Sequence, residues 1–263
     1  TPSKGELLGG NFIADGRPDV LTATRENLRF GASQIKVMAG GGVASPTDPI
    51  DGTQYSIEEL RAICEEAEAA NLYVMAHAYS PRAVTRAVQA GVRSIEHGNL
   101  IDEATAKIMK QEGAWLVPTL ATYAALAGEG ARLGWPASMM DKLSRVRDQG
   151  IEAIRIARAH GVAIALGTDL LGVMQIQQSE EFALRGSALN PVEILQSATS
   201  SAARLMGQEG QIGQLVKGAW ADLLVVESDP TRDIGSLSRP EAGLRLIMKA
   251  GKIYRNTLAP GRP

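Results

Sequence analysis

One cysteine, Cys64, stands in the whole sequence, so no internal disulfide can hold this fold. It falls inside a helical pattern, where a small apolar side chain needs no function. Long apolar runs are also missing, and no stretch approaches the ~20 residues of a membrane span. No excess of charge of one sign exists either: the net charge is -2 and the pI about 6.0. That balance lacks the footprint of a nucleic-acid or anionic-membrane partner. A signal peptide is absent, which points to the cytoplasm. The chain begins at Thr1 in a loop-like stretch without methionine, and it reads as starting inside a larger protein. Histidine is scarce, with three in 263 residues. What is present is ordinary globular composition, 44% hydrophobic and 21% charged, enough for a large core.

The apolar residues are distributed in short runs separated by helical periodicity. Residues 1–19 are glycine-rich and aperiodic. A helix is expected over 20–30, with Thr24 among its apolar positions, then a strand at 34–39 and a Gly/Pro/Asp-rich loop over 40–55. Ser56 with Glu59 three residues on forms a capping-box signature for a helix over 57–70, with Leu60, Ile63, Cys64 and Ala67 on one face. Strands at 72–77, 92–97 and 114–119 alternate with helices at 81–90 and 102–112. A helical region over 120–160 is broken at Gly134-Trp135-Pro136; a strand at 162–168 and helices near 176–188 and 191–206 follow. Five apolar strands separated by long crossovers make an α/β protein with a parallel sheet. A closed (β/α)8 barrel has eight. From 208 the pattern changes to short strands at 212–215 and 218–226 and a hairpin over 246–254 with Ala-Gly at its turn. Such antiparallel elements are too few for an independent sheet.

Chemistry-bearing residues recur at strand ends. His77 and His97 close consecutive apolar strands, and neutral imidazole is a ligand for Zn, Ni, Fe or Mn. The bland reading of each is a hydrogen-bonded core histidine. His160, before Gly161, reads as a helix C-cap. Lys36 is flanked by apolar residues inside a strand; a buried lysine either snorkels, pairs with Asp169, or reacts as a neutral amine with carbon dioxide to give a carbamate able to bridge two cations. Asp169 ends the last strand of the series and is either an N-cap or a metal ligand that accepts a proton. Glu96 should point to the face opposite His97. The Gly40–Pro49 loop lacks the lysine of a phosphate loop and is expected to line a pocket.

The segments Ile35-Lys36-Val37-Met38-Ala39-Gly40-Gly41-Gly42, Ala76-His77-Ala78-Tyr79, Ser94-Ile95-Glu96-His97-Gly98 and Gly167-Thr168-Asp169-Leu170 resemble the amidohydrolase superfamily. The branch is the one with Xaa-Pro dipeptidase-like (prolidase-like) and imidazolonepropionase-related enzymes. Ser45-Pro46-Thr47-Asp48-Pro49, Gln178-Ser179-Glu180-Glu181-Phe182 and the tail Gly218–Val226 fit it too. The resemblance implies a (β/α)8 TIM-barrel-type fold with a small β-sandwich. Residues 1–207 would supply strands 4 to 8 and residues 208–263 the C-terminal part of the sandwich. It also implies that Lys36 is a carbamylated bridging lysine, that His77 and His97 ligate the second metal, and that Asp169 ligates the first and acts as general base. Tyr79 would hold a substrate carboxylate. One or two divalent ions, zinc above all, would be bound, ~3.5–4 Å apart if two.

The expected activity is hydrolysis of amide C–N bonds in dipeptides or N-acyl amino acids with a free carboxylate, by a metal-bound hydroxide with Asp169 as general base. The alternatives are a cyclic-amide hydrolase of the imidazolonepropionase type and a catalytically inert fragment. The His-x-His pair of the family's first strand does not occur in the sequence. With three strands also unaccounted for, the expected partners are an N-terminal segment of the same protein, a small amide or dipeptide substrate, and further copies in a homo-oligomer. Nucleic acid and membrane are not among them. Alone, the chain is expected to be poorly soluble and weakly active.

Overall fold

A computed structural model describes residues 12–130, 132 and 134–258; the aperiodic reading of residues 1–11 lies outside them. The backbone packs as two compact units. The first runs to Pro118 and resumes over Leu126–Ala163; the second takes Thr119–Ala125 and the chain from Ile164 on.

In the first unit, α1 (Gly16–Arg29), β1 (Ile35–Met38), α2 (Ile57–Ala69), β2 (Val74–Ala78), α3 (Pro81–Gln89), β3 (Ser94–His97), α4 (Glu103–Gln111) and β4 (Trp115–Val117) alternate. α5 (Leu120–Glu129), which begins in the second unit, α6 (Ala137–Ala159) and β5 (Ala163–Ile164), whose second residue belongs to the second unit, follow in the chain. The sheet order is β1-β2-β3-β4-β5, and the pairs β1–β2, β2–β3 and β3–β4 are parallel. Helix starts follow local chemistry. Ser56 and Glu59 form the reciprocal capping box of α2. Ser80 caps α3 ahead of Pro81, and Asp102 caps α4 through the Thr105 amide. α2 buries Leu60, Ala62, Ile63 and Ala67 and α3 buries Ala83, Val84, Ala87 and Val88. Each larger side chain so buried contributes roughly 1.5–3 kcal/mol.

Several boundaries differ from expectation. α1 starts four residues early, at Gly16, whose amide is held by Glu59 at 2.7 Å. Thr24 is buried because its hydroxyl donates back to the Val20 carbonyl at 2.7 Å. Cys64 is half-buried at the margin of the α2 face. β5 keeps two of its seven expected residues. Among the described residues it lies at the end of the sheet with one neighbour, and past it the Leu166 amide turns to the Ser197 carbonyl instead of a ladder.

The second unit contains a 3-10 turn (Gly172–Gln177), α7 (Glu180–Arg185), α8 (Pro191–Ala198) and α9 (Ser200–Leu205). β6 (Leu223–Val226), a second 3-10 turn (Ile234–Ser238), α10 (Pro240–Gly243), β7 (Leu244–Lys249) and β8 (Lys252–Asn256) complete it. The helix expected over 191–206 breaks at Thr199, whose φ/ψ of -127/-98 is not helical. β6, β7 and β8 form an antiparallel sheet in that order. The β7–β8 turn has positive φ at both Ala250 (49°) and Gly251 (77°), the twist a two-residue hairpin favours. The strand expected at 212–215 is a loop, closed by the Trp220 amide donating to the Gln211 carbonyl at 2.9 Å. Among the described residues no helix is long and apolar enough to cross a membrane.

Candidate functional site

The adjacent strands β1, β2 and β3 bring three of the expected residues together. Registered neighbours in a parallel sheet share a face, and successive residues alternate between faces. Lys36 pairs with Met75, and Met38 with His77, so Lys36 and His77 share one face. His77 pairs with Glu96 and Ala78 with His97. Alternation alone would therefore put His97 on the opposite face from His77. The imidazoles nevertheless meet, with ring centroids 4.7 Å apart. The cause is the backbone of His97, whose φ of 78° rotates Cβ about the N–Cα bond to the other side of the strand. Gly98 continues the excursion at φ 59°, and a Cβ there would sit 2.4 Å from Leu116 Cδ1. Tyr79, on the face of His77, packs its ring 4.7 Å from His77 and 5.4 Å from His97.

Both imidazoles are buried. His77 Nε2 lies 3.0 Å from the Gly41 carbonyl, a contact that makes Nε2 the protonated nitrogen and leaves Nδ1 the lone pair. Gly41 must be glycine, since a Cβ would lie 1.9 Å from the Pro49 carbonyl oxygen. Lys142 ties the same loop by donating to the Ser45 and Asp48 carbonyls at 2.9 and 2.5 Å. Burial pushes the His77 pKa down to about 4; the Gly41 carbonyl opposes this and the Lys36 charge reinforces it. His97 is driven well below the usual histidine range by burial, then by His77 and Lys36. Lys36 itself is exposed, which corrects the expectation of a buried lysine: its alternation partners Ile35 and Val37 take the packed face. Two neutral imidazoles, one with its second nitrogen on a carbonyl, are the donor chemistry of a divalent metal site. Among the described residues no group of three His, Cys, Asp or Glu side chains gathers as a ligand set.

Asp169 belongs to the second unit. It is exposed and lies on a loop beyond β5, not at a strand end, because the ladder stops at Ile164. Its φ is 51°, so two of the five described non-glycine residues with positive φ are His97 and Asp169. Its neighbour Leu170 is buried against Ala121 and Ala125, with Met174 and Leu184 alongside. Two residues given no role from the sequence stand nearby in the chain: Glu181, within a segment that fits the family branch, and Arg185, both with 0% exposure and joined Nε to Oε1 at 2.7 Å. Their i,i+4 spacing on α7 was the available signal, but it does not distinguish a buried pair from a surface one. Burial raises the Glu181 pKa and lowers that of Arg185, and the pairing opposes both shifts. His160 is the C-cap of α6, with Nδ1 3.0 Å from the Ile156 carbonyl.

The profile of the amidohydrolase family matches residues 2–254. Ochratoxinase of Aspergillus niger is 35% identical over 248 residues, 92% of this chain and 50% of that protein. Imidazolonepropionase of Methylobacterium nodulans is 27% identical over 207 residues, 75% of this chain and 46% of that protein. The solved structure of a prolidase complexed with N-methylphosphonate-L-proline is 47% identical, with a TM-score of 0.92 over 97% of this chain and 63% of its own. This chain spans about half the length of the curated relatives it matches.

Proposed function

The chain belongs to the amidohydrolase family, with that family's α/β barrel-type fold, and from that premise we propose that it hydrolyses amide C–N bonds with a divalent metal. The substrates proposed are dipeptides or N-acyl amino acids that carry a free carboxylate. The observation that carries this reading is the pair of buried, neutral imidazoles 4.7 Å apart, sharing one face of the sheet with Lys36. The family generally uses divalent metals. His77 and His97 would hold one, zinc for preference, and Lys36 as its carbamate would add anionic oxygens and allow a second. A metal bound there polarises a carbonyl and lowers the pKa of water.

The other steps fall to this chain's own side chains. Burial keeps both histidines neutral, so they offer lone pairs rather than charge. Lys36 is exposed, and its carbamate would form when the neutral amine adds to dissolved carbon dioxide and releases a proton to solvent. Asp169 takes a proton from water as the oxygen adds to the carbonyl carbon, and returns it to the leaving nitrogen as the C–N bond breaks. Tyr79, packed on both imidazoles, offers its hydroxyl to the substrate carboxylate. The prolidase with a proline phosphonate supports a dipeptide-like substrate, and ochratoxinase supports the amide-hydrolase reading more broadly.

The test begins with zinc binding. His77→Ala and His97→Ala should each weaken it at least tenfold. Zinc-loaded protein is then offered Xaa-Pro dipeptides, N-acyl amino acids and a cyclic amide, with and without chelator. Chelator-sensitive release of an amino acid is expected. Turnover of the cyclic amide alone would favour the imidazolonepropionase-type alternative, and protein that binds no zinc and turns over nothing would be the inert one.

A further inference from the structure

The loop carrying Asp169 has little regular structure of its own. β5 ends at Ile164, and the next backbone groups are held by α7 and α8. Arg185 Nη1 donates to the Ala165 carbonyl at 3.1 Å and to Ser197 Oγ at 3.4 Å. The Leu166 amide donates to the Ser197 carbonyl at 2.9 Å. Glu181 fixes Arg185 through Oε1, while its Oε2 accepts the Ala121 amide at 2.7 Å, in the first turn of α5. A carboxylate at that helix start also suits the helix dipole. The same turn carries Ala121, against which Leu170 is buried. The residues before and after Asp169 are thus anchored to one buried ion pair, directly at Ala165 and through α5 at Leu170.

We propose that the Glu181–Arg185 pair is a positioning device that holds the Asp169 loop, a role that rests on Asp169 acting as the general base. A buried ion pair is poor evidence for stability, because an apolar pair of similar volume is often as stable or more so. What an apolar pair cannot do is bind the Ala165 carbonyl and the Ala121 amide at once. Asp169 sits at φ 51°, a conformation that persists where the surroundings over-determine it. The pair supplies that constraint without touching the reacting atoms.

The experiment compares the native protein with the double variant Glu181→Leu/Arg185→Met. Hydrogen exchange over residues 165–170 should become at least tenfold faster, while the thermal midpoint stays within about 5 °C. In zinc-loaded protein kcat should fall at least tenfold with KM within twofold. If the double variant does not fold, Arg185→Lys is read in the same way, since it keeps the charge and loses the guanidinium fork. Unchanged exchange over 165–170 in a folded variant overturns the proposal, whatever the turnover. Asp169→Asn separates the two ideas: full turnover there rejects the base role, and the exchange result still judges the anchoring.

Discussion

The peptide at His97 and Gly98 does something that strand geometry forbids to an ordinary residue. A left-handed φ at His97 transfers an imidazole from the packed face to the face of His77 and Lys36. Gly98 makes room for it, with φ 59° and no space for a Cβ beside Leu116. Gly98→Ala should therefore destabilise by about 2–4 kcal/mol, from left-handed strain and overpacking. Urea unfolding should detect this, and the penalty of Gly98→Ala should shrink to its backbone share when measured in a Leu116→Ala background; an equal penalty in both backgrounds would locate all of it in the backbone. Lys36 carries the other residue-scale prediction. If its carbamate completes the metal site, Lys36→Ala should lose at least a hundredfold in turnover, and short carboxylic acids with zinc should restore part of it. An unchanged rate in Lys36→Ala would reject the role.

At the level of elements, β1 is the end of its sheet, with a neighbour on one side among the described residues. Its Ile35 amide and that of Ala39, just past its end, donate to the Tyr73 and His77 carbonyls. The parallel pattern then turns the Met38 amide away from β2. Beside this edge lies a cavity of about 490 Å³ that Ile13, Val20, Ile35, Val37 and Tyr55 help to line. An exposed strand edge next to apolar surface is a template for self-association. Sedimentation should show association that grows with concentration. Met38→Pro removes an outward amide and spares the bonds to β2, so it should reduce association with little change in thermal midpoint. A large drop in that midpoint would mean that Met38 pairs inward.

For the molecule as a whole, the buried histidines set an acid limit. His77 has a folded pKa of about 4 against an unfolded value of ~6.5, so the unfolded state takes up the proton first. Its contribution is complete above about pH 6.5 and is lost as pH falls toward 4, on the order of 3 kcal/mol in all. His97 shifts in the same direction and steepens the loss. Metal-free protein in chelator should lose thermal stability between pH 6.5 and 4.5, and His77→Gln should flatten that slope; an equal slope in the variant would place the titration elsewhere. Much of the architecture behind this was readable without coordinates. The runs at 34–39, 72–77, 92–97 and 114–119 became β1 to β4, and the caps at Ser56 and His160 are where their spacing put them. Hydrophobic period, capping and turn chemistry are local, and local chemistry survives in the linear order of residues. The face of His97, the loop under Asp169, the exposure of Lys36 and the Glu181–Arg185 pair were not readable. The face of His97 follows from its positive φ, and the exposure of Lys36 from which face of β1 is packed; the loop under Asp169 and the buried pair follow from distant backbone groups, Leu166 turning to Ser197 and Ala165 to Arg185. Those choices are made by packing between segments far apart in the chain, and only the tertiary structure decides them.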